Sequence, residues 1–333
     1  MQEQFCQKCW YVDNCVYNCI MLHVIIGGLG FIGEHLIRSL LSESKRILIV
    51  DIDIWGRSSS DTSSSSASAS ASVSVLKPNN LMWSGQVAKI VKNEEIFIWH
   101  LAANSDILKG SSSSLIDYEL TLGSTVQVYE LAKMVNTTGI AFTSSSAVYG
   151  QSNATGRFFE NSETKPISNY GLMKLASENL LSILSKDLQI PVHIFRLANI
   201  VGPKMTHGVI IDFIRKCKAD PDLLQVLGDG NQTKTYLHID DLIYFMENIV
   251  INGRSSLTNL GPGDAGVSVA VIAELVIRAL GQNNKIVYGN TPHGWFGDVS
   301  RSLMGIEKLS NAVHFESLSS RAAVKRAIIE NLL

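Results

Sequence analysis

At 333 residues the chain is long enough for one large α/β domain, or for a domain carrying a smaller lobe. Its 46% hydrophobic and 17% charged residues are ordinary for a globular protein, and a net charge of -2 gives no broad basic field, so neither nucleic acid nor an anionic membrane is expected as a partner. No apolar run reaches the roughly 18 residues of a membrane span, and the first twenty residues lack the apolar core of a secretory signal, so a cytoplasmic location is the expectation.

Residues 1–20 hold four of the five cysteines, Cys6, Cys9, Cys15 and Cys19; Cys217 alone lies in the body. Cys6-x-x-Cys9 has the spacing of half a zinc site, but the others form no familiar second pair. The segment is read as a disordered extension, or as upstream sequence before a start at Met21, and no metal is assigned. From Leu22 short apolar runs alternate with amphipathic stretches. Strands are expected at Leu22–Ile26, Ile47–Val50, Ile96–His100, Ile140–Thr143 and Val192–Arg196, and helices at 31–42, 81–92, 115–135 and 168–187. Strands apolar throughout imply burial on both faces, so the fold class is α/β with a doubly wound parallel sheet over residues 21–200. Residues 58–74 are nearly all Ser and Ala and read as a flexible surface insert. Beyond residue 200, helical patterns at 208–218, 240–251, 268–280 and 318–331 mix with short strands near 223–227 and 285–288. Residues 201–333 are therefore expected mainly as a smaller lobe closing over the sheet.

Gly27-Gly28-Leu29-Gly30-Phe31-Ile32-Gly33 stands where the first strand turns into the first helix. Glycines there let the backbone approach a pyrophosphate, which rests on the positive end of the helix, as in a Rossmann-type dinucleotide site. Gly27, Gly30, Phe31, Ile32 and Gly33 are the candidate contacts. Asp51 ends the second strand, 18 residues past Gly33. An acid there accepts from the adenosine ribose and repels a 2′-phosphate, favouring NAD; Arg57 leaves an opening for NADP.

Tyr170-Gly-Leu-Met-Lys174 opens the helix at 168–187, placing phenol and ammonium one turn apart on one face. A nearby ammonium lowers a phenol pKa of about 10 and makes tyrosine a usable base, although such a pair also occurs as a solvated face. Thr143-Ser144-Ser145-Ser146 follows a strand at the carboxyl edge of the sheet, where ligands bind. His238, Asp240 and Asp241 are read structurally, with Asp240 or Asp241 capping the next helix and His238 on a strand edge.

With Gly27–Gly33, His-Leu-Ala-Ala-Asn (100–104), Ser-Ser-Ser-Ala-Val-Tyr-Gly (144–150), Pro-Ile-Ser-Asn-Tyr-Gly-x-x-Lys (166–174), Arg-Leu-Ala-Asn-Ile-Val-Gly-Pro (196–203) and Gly-Asp-Gly-Asn-Gln (228–232), the chain resembles the extended short-chain dehydrogenase/reductase family, in particular its NAD-dependent nucleotide-sugar epimerase/dehydratase branch. The resemblance implies a catalytic set of Ser145, Tyr170 and Lys174, with Tyr170 as base and Lys174 also on the nicotinamide ribose. It implies a cofactor lining from Leu101, Ala102 and Ala103, and substrate contacts from Ser145, Ser146, Asn199 and Lys234. Dehydratases of this kind place Asp-Glu after the catalytic hydroxyl and decarboxylases keep a glutamate; Ser146 and Ala147 stand there instead. The implied reaction is therefore epimerisation at C4 of a UDP-glucose/UDP-galactose type substrate through a 4-keto intermediate. A reductase or dehydrogenase of the same family, or a catalytically silent NAD-binding subunit, is the alternative. Lys234 replaces a usual arginine, Trp295 stands at another arginine position, and no Gly-Asp follows the third strand near Val75–Asn80. By the same resemblance a homodimer is expected, paired through helices 115–135 and 168–187.

Overall fold

The computed structural model describes residues 21–51, 73–78, 80–104, 113–151, 156–295 and 297–333. The cysteine-bearing segment 1–20, Arg57 and most of the serine-rich stretch lie outside the described residues.

In chain order the strands are β1 Leu22–Ile26, β2 Arg46–Val50, β3 Val73–Leu76, β4 Ile96–His100, β5 Thr137–Ser145, β6 Arg157–Phe158, β7 Val192–Leu197, β8 Asn199–Val201, β9 Leu223–Val226, β10 Thr233–Lys234, β11 Tyr236–His238, β12 Ser256–Leu260, β13 Val267–Ser268, β14 Lys285–Tyr288 and β15 Arg301–Met304. The helices are α1 Phe31–Ser42, α2 Ser84–Ile90, α3 Ser114–Asp117, α4 Ser124–Met134, α5 Asn169–Leu188, α6 Val209–Ala219, α7 Ile239–Ile251, α8 Val269–Ala279, α9 Glu307–Ala312 and α10 Ser320–Glu330, with a π-helical stretch Tyr118–Gly123 joining α3 to α4. Seven parallel strands form the central sheet in the order β12-β7-β5-β4-β1-β2-β3. The order reverses between β1 and β4, which opens a crevice at their carboxyl ends. Ile26 is level with Val50 on one side and His100 on the other, and His100 with Phe142. The segments leaving β1, β2, β4 and β5 therefore meet along one edge, and that edge carries the candidate residues.

Alternation along the strands loads both faces. Ile25, Ile47, Ile49 and Trp99 pack with Leu36 of α1 and Phe245 and Met246 of α7. Val24, Ile26, Leu48, Ile98 and Phe142 pack with Leu131 of α4 and Leu181 and Leu184 of α5. Each fully buried side chain of this kind contributes about 1.5–3 kcal/mol of transfer free energy. A third cluster joins Phe213 of α6, Leu224, Tyr236, Ile272 and Val276 of α8 and Val324 of α10.

Two sheet strands depart from the sequence expectation. β3 begins at Val73, inside the stretch read as a flexible insert; its first residues pair with β2, Val73 opposite Ile47. β12 comes from beyond residue 200 yet closes the main sheet beside β7. The acids after β11 do not cap α7 either. His238 does, its Nδ1 accepting the Asp240 N–H at 3.2 Å, while Asp241 accepts the Leu318 N–H at 3.0 Å and Asp240 pairs with Arg326. Asp240 and Asp241 already lie inside the first helical turn, two and three residues past the cap position.

Candidate active site

The turn after β1 is shaped by backbone proximity. Gly27 has φ +82°, and a Cβ on it would lie 2.7 Å from the Ala102 nitrogen. At Gly33 a Cβ would come within 2.4 Å of the Gly28 carbonyl, so α1 starts hard against the turn. No side chain caps α1 at Gly30, which leaves the N–H groups of its first turn, with half-buried Phe31 and Ile32, facing the crevice as an anion cradle. Asp51 Oδ2 accepts the Leu29 N–H at 2.7 Å, fixing the acid at the same turn. Leu101 donates to Ile26 O at 2.9 Å, and Leu101, Ala102 and Ala103 remain half-buried beside Gly27. Gly27, Gly30, Phe31, Ile32, Gly33, Asp51 and Leu101–Ala103 thus line one crevice, and its narrow glycine cradle fits a dinucleotide.

Helix α5 begins one residue before Tyr170, capped by the Ser168 hydroxyl, which accepts the Gly171 N–H at 3.1 Å. Lys174 is 1% exposed; its Nζ donates to the Thr143 carbonyl at 2.5 Å and lies 4.6 Å from the Phe142 ring centre and 5.9 Å from that of Tyr170. The Ser145 hydroxyl accepts the Ala147 N–H at 3.1 Å, and its side chain lies close enough to the Tyr170 phenol to draw that group's pKa down. Ser145, Tyr170 and Lys174 are therefore one cluster at the end of β5.

The electrostatics differ from the expectation drawn from spacing. Burial pushes Tyr170 up to about 12; the Ser145 hydrogen bond opposes this and the Asp117 carboxylate adds to it. Lys174 is pulled down to about 7 by burial, against the Glu178 carboxylate, which holds it up. The ammonium turns to the Thr143 carbonyl, so it does not offset the burial of the phenol.

Beneath the cluster runs a buried polar network that the sequence reading missed. Glu178, one turn beyond Lys174, accepts the Ser144 hydroxyl and takes Arg196 of β7 in a forked ion pair, Nε–Oε1 3.0 Å and Nη2–Oε2 2.7 Å. Both side chains are 5% exposed. The Arg196 guanidinium lies 4.8 Å over Tyr149, whose hydroxyl donates to Asn259 Oδ1 at 2.6 Å; Asn259 Nδ2 donates to Phe158 O and Gly305 O. The network ties β5, β7 and α5 to β6, β12 and the end of β15. The i+4 spacing of Glu178 after Lys174 was the one signal pointing to it.

Asn199 and Lys234 form a second group. Asn199 stands two residues past Leu197, which is level with Ser145, and its Nδ2 donates to the Thr235 carbonyl at 3.2 Å. Lys234 pairs with Asp298 at 2.6 Å, with the Trp295 ring 5.4 Å from Nζ, and Asp298 also accepts the Gly294 N–H at 3.0 Å. An anion at Lys234 shares the ammonium with Asp298. Ser146 opens a 3-10 turn directly after Ser145. A cleft of about 560 Å3 beside Phe245, Pro262, Ile306 and Phe315 contains none of these residues. Among the described residues no cluster of three or more His, Cys, Asp or Glu could hold a metal, and no helix is long and apolar enough to cross a membrane.

A doubly wound sheet with a glycine turn at its switch point and a Ser-Tyr-Lys cluster across the crevice defines a dinucleotide-dependent enzyme class. The model of the NAD dependent epimerase/dehydratase family matches residues 23–261, and the chain belongs to that family, whose cofactor is NAD. Among curated relatives, a Methanocaldococcus jannaschii protein assigned as a UDP-glucose 4-epimerase is 24% identical over 92% of this chain and 96% of its own. A UDP-N-acetyl-alpha-D-glucosaminuronate decarboxylase of Bacillus cytotoxicus is 27% identical over 88% of this chain and 91% of its own. A crystal structure of UDP-galactose 4-epimerase superposes with TM-score 0.76 at 28% identity, covering 93% of this chain and 98% of that one. The UDP-glucuronic acid 4-epimerase of Bacillus cereus, solved with UDP-glucuronic acid and NAD, shares the fold with TM-score 0.80 at 20% identity over 93% and 98% of the two chains.

Proposed function

We propose that the chain is an NAD-dependent nucleotide-sugar 4-epimerase of the UDP-glucose/UDP-galactose type. The observation that carries this reading is the Ser145–Tyr170–Lys174 cluster on the same carboxyl edge of the sheet as the Gly27–Gly33 turn, followed by Ser146 and Ala147. By the family resemblance, dehydratases carry Asp-Glu after the catalytic hydroxyl and decarboxylases a glutamate, and Ser146 and Ala147 are neither; this favours epimerisation over the decarboxylase chemistry of some relatives.

On this reading Tyr170 removes the C4 hydroxyl proton while Ser145 holds the same oxygen, and Lys174 binds the nicotinamide ribose. The chemistry supplied by bound NAD is the uptake and return of the C4 hydride, and the positive charge of its oxidised ring favours the phenolate that burial disfavours. Tyr170 would give the proton back to the C4 oxygen once the 4-keto sugar has turned over in the site, so no net oxidation would occur. Ser146 and Asn199 contact the sugar and Lys234 the diphosphate. A homodimer through α3–α4 and α5 is part of the proposal, supported by exposed Leu115, Tyr118, Leu172 and Ile183 on those helices.

Tyr170→Phe tests the chemistry. General base catalysis by a placed side chain is worth about 10²- to 10⁴-fold. The variant is expected to lose turnover of UDP-galactose by that order while still binding NAD. Undiminished turnover refutes the assignment.

A further inference from the structure

Glu178 is a buried carboxylate with no step in the proposed hydride chemistry, yet its contacts surround the residues that carry it. Thr143, whose carbonyl receives Lys174, and Ser144, whose hydroxyl donates to Glu178, are consecutive in β5, and Ser145 is next. The strand end is thus clipped to α5 at two successive residues immediately before the candidate catalytic serine. Arg196 closes the arrangement from β7. Buried ion pairs are weak stabilisers, because desolvation of both charges offsets their attraction. A pair kept at that cost one helical turn from a buried ammonium points to an electrostatic use.

We propose that Glu178 is a positioning residue: held by Arg196 and Ser144, its carboxylate keeps Lys174 protonated and seated between the Thr143 carbonyl and Tyr170. The functional meaning rests on the proposed C4 chemistry, whereas the effect on Lys174 belongs to the chain alone.

The groups facing Lys174 are few. Tyr170 and Glu178 lie on its own helix, His100 faces it from β4, Asp117 of α3 faces Tyr170, and Arg196 is paired with Glu178. Burial, reinforced by Lys174, holds His100 well below its ordinary value, so this imidazole is neutral near pH 7. Tyr170 is protonated there, raised to about 12 by burial. Glu178 is therefore the charge that favours the ammonium against burial. Removing that charge must lower the pH at which Lys174 loses its proton.

The test is a side-chain NMR titration of the full chain carrying 13C,15N-lysine, with the Lys174 signal identified by its loss in Lys174→Met. The native midpoint is expected near 7. In Glu178→Gln it should fall by about one pH unit, and the alkaline limb of kcat/KM should fall with it. Ser144→Ala keeps the carboxylate and should leave the midpoint in place. Should Glu178→Gln strand Arg196 and fail to fold, Glu178→Gln/Arg196→Gln removes both charges, and its midpoint should also fall, by less. An unchanged midpoint in whichever variant folds, checked by circular dichroism, overturns the proposal. A fallen midpoint without conversion of UDP-galactose supports it and counts against the proposed substrate instead.

Discussion

Asp117 is wholly buried; its Oδ1 accepts from Asn104 Nδ2 at 2.8 Å, and among the described residues its Oδ2 has no hydrogen-bond partner. Burial raises its own pKa, with Asn104 pulling it back, and its carboxylate in turn raises that of Tyr170. Asp117→Asn keeps the shape and removes the charge, so Tyr170 should ionise more readily. The acidic limb of kcat/KM is expected to move to lower pH, by about half a unit; a move upward, or none, would remove Asp117 from the electrostatics of the site. At this scale the sequence was most informative where chemistry and spacing coincide. Tyr170 and Lys174 are read from their spacing, Ser145 from the family resemblance, and Asp51 from its distance past Gly33. Glu178, Arg196 and Asp117 were invisible as a set, because their roles depend on contacts across β5, β7 and α5 that spacing along one element does not encode. The direction of the Tyr170 shift was missed for the same reason: burial is a tertiary property.

Helices were the most legible elements. α1 matches its expected range, and α5, α6, α7 and α8 fall within a residue of theirs, since each carries an apolar stripe, that of α1, α5 and α7 against the central sheet and that of α6 and α8 in the third cluster. β3 and β12 were missed for physical reasons. β3 is an edge strand with Val73 and Val75 exposed, so it lacks the continuous apolar run of its neighbours. β12 reads Ser-Leu-Thr-Asn-Leu, and its buried Asn259 is tolerated because Tyr149, Phe158, Glu160 and Gly305 satisfy it. The proposed dimer belongs to this scale. Leu172 is 50% and Ile183 60% exposed on α5, eleven residues apart and so on one face. Leu115 and Tyr118 stand exposed on α3 and the start of the π-helical stretch. Burying such side chains against a second copy contributes about 1.5–3 kcal/mol each. Sedimentation should give a dimer for the native chain and a monomer for Leu172→Glu/Ile183→Glu; a monomeric native chain would contradict the pairing.

For the molecule as a whole, the parallel sheet and its switch point follow from alternating apolar strands and helices, and they place the glycine turn opposite the Ser145–Tyr170–Lys174 cluster. The polar network from Glu178 through Arg196 and Tyr149 to Asn259 gives that cluster a rigid connection to the strands β6, β12 and β15. The second lobe was legible as helices and short strands, but the return of β12 to the main sheet was not, because strand pairing across the chain leaves no local periodicity. The proposed substrate contacts Asn199 and Lys234 were legible only through the resemblance, because their partners, the Thr235 carbonyl and Asp298, are set by tertiary contact.

In the proposed reaction a hydride leaves C4 and returns. This is tested most directly by proton NMR of UDP-galactose incubated with the purified protein and NAD, with the absorbance of reduced cofactor followed in parallel. UDP-glucose is expected to appear to equilibrium with no accumulation of NADH. NADH accumulating in step with an oxidised sugar, or no change in a protein that binds NAD, would contradict it.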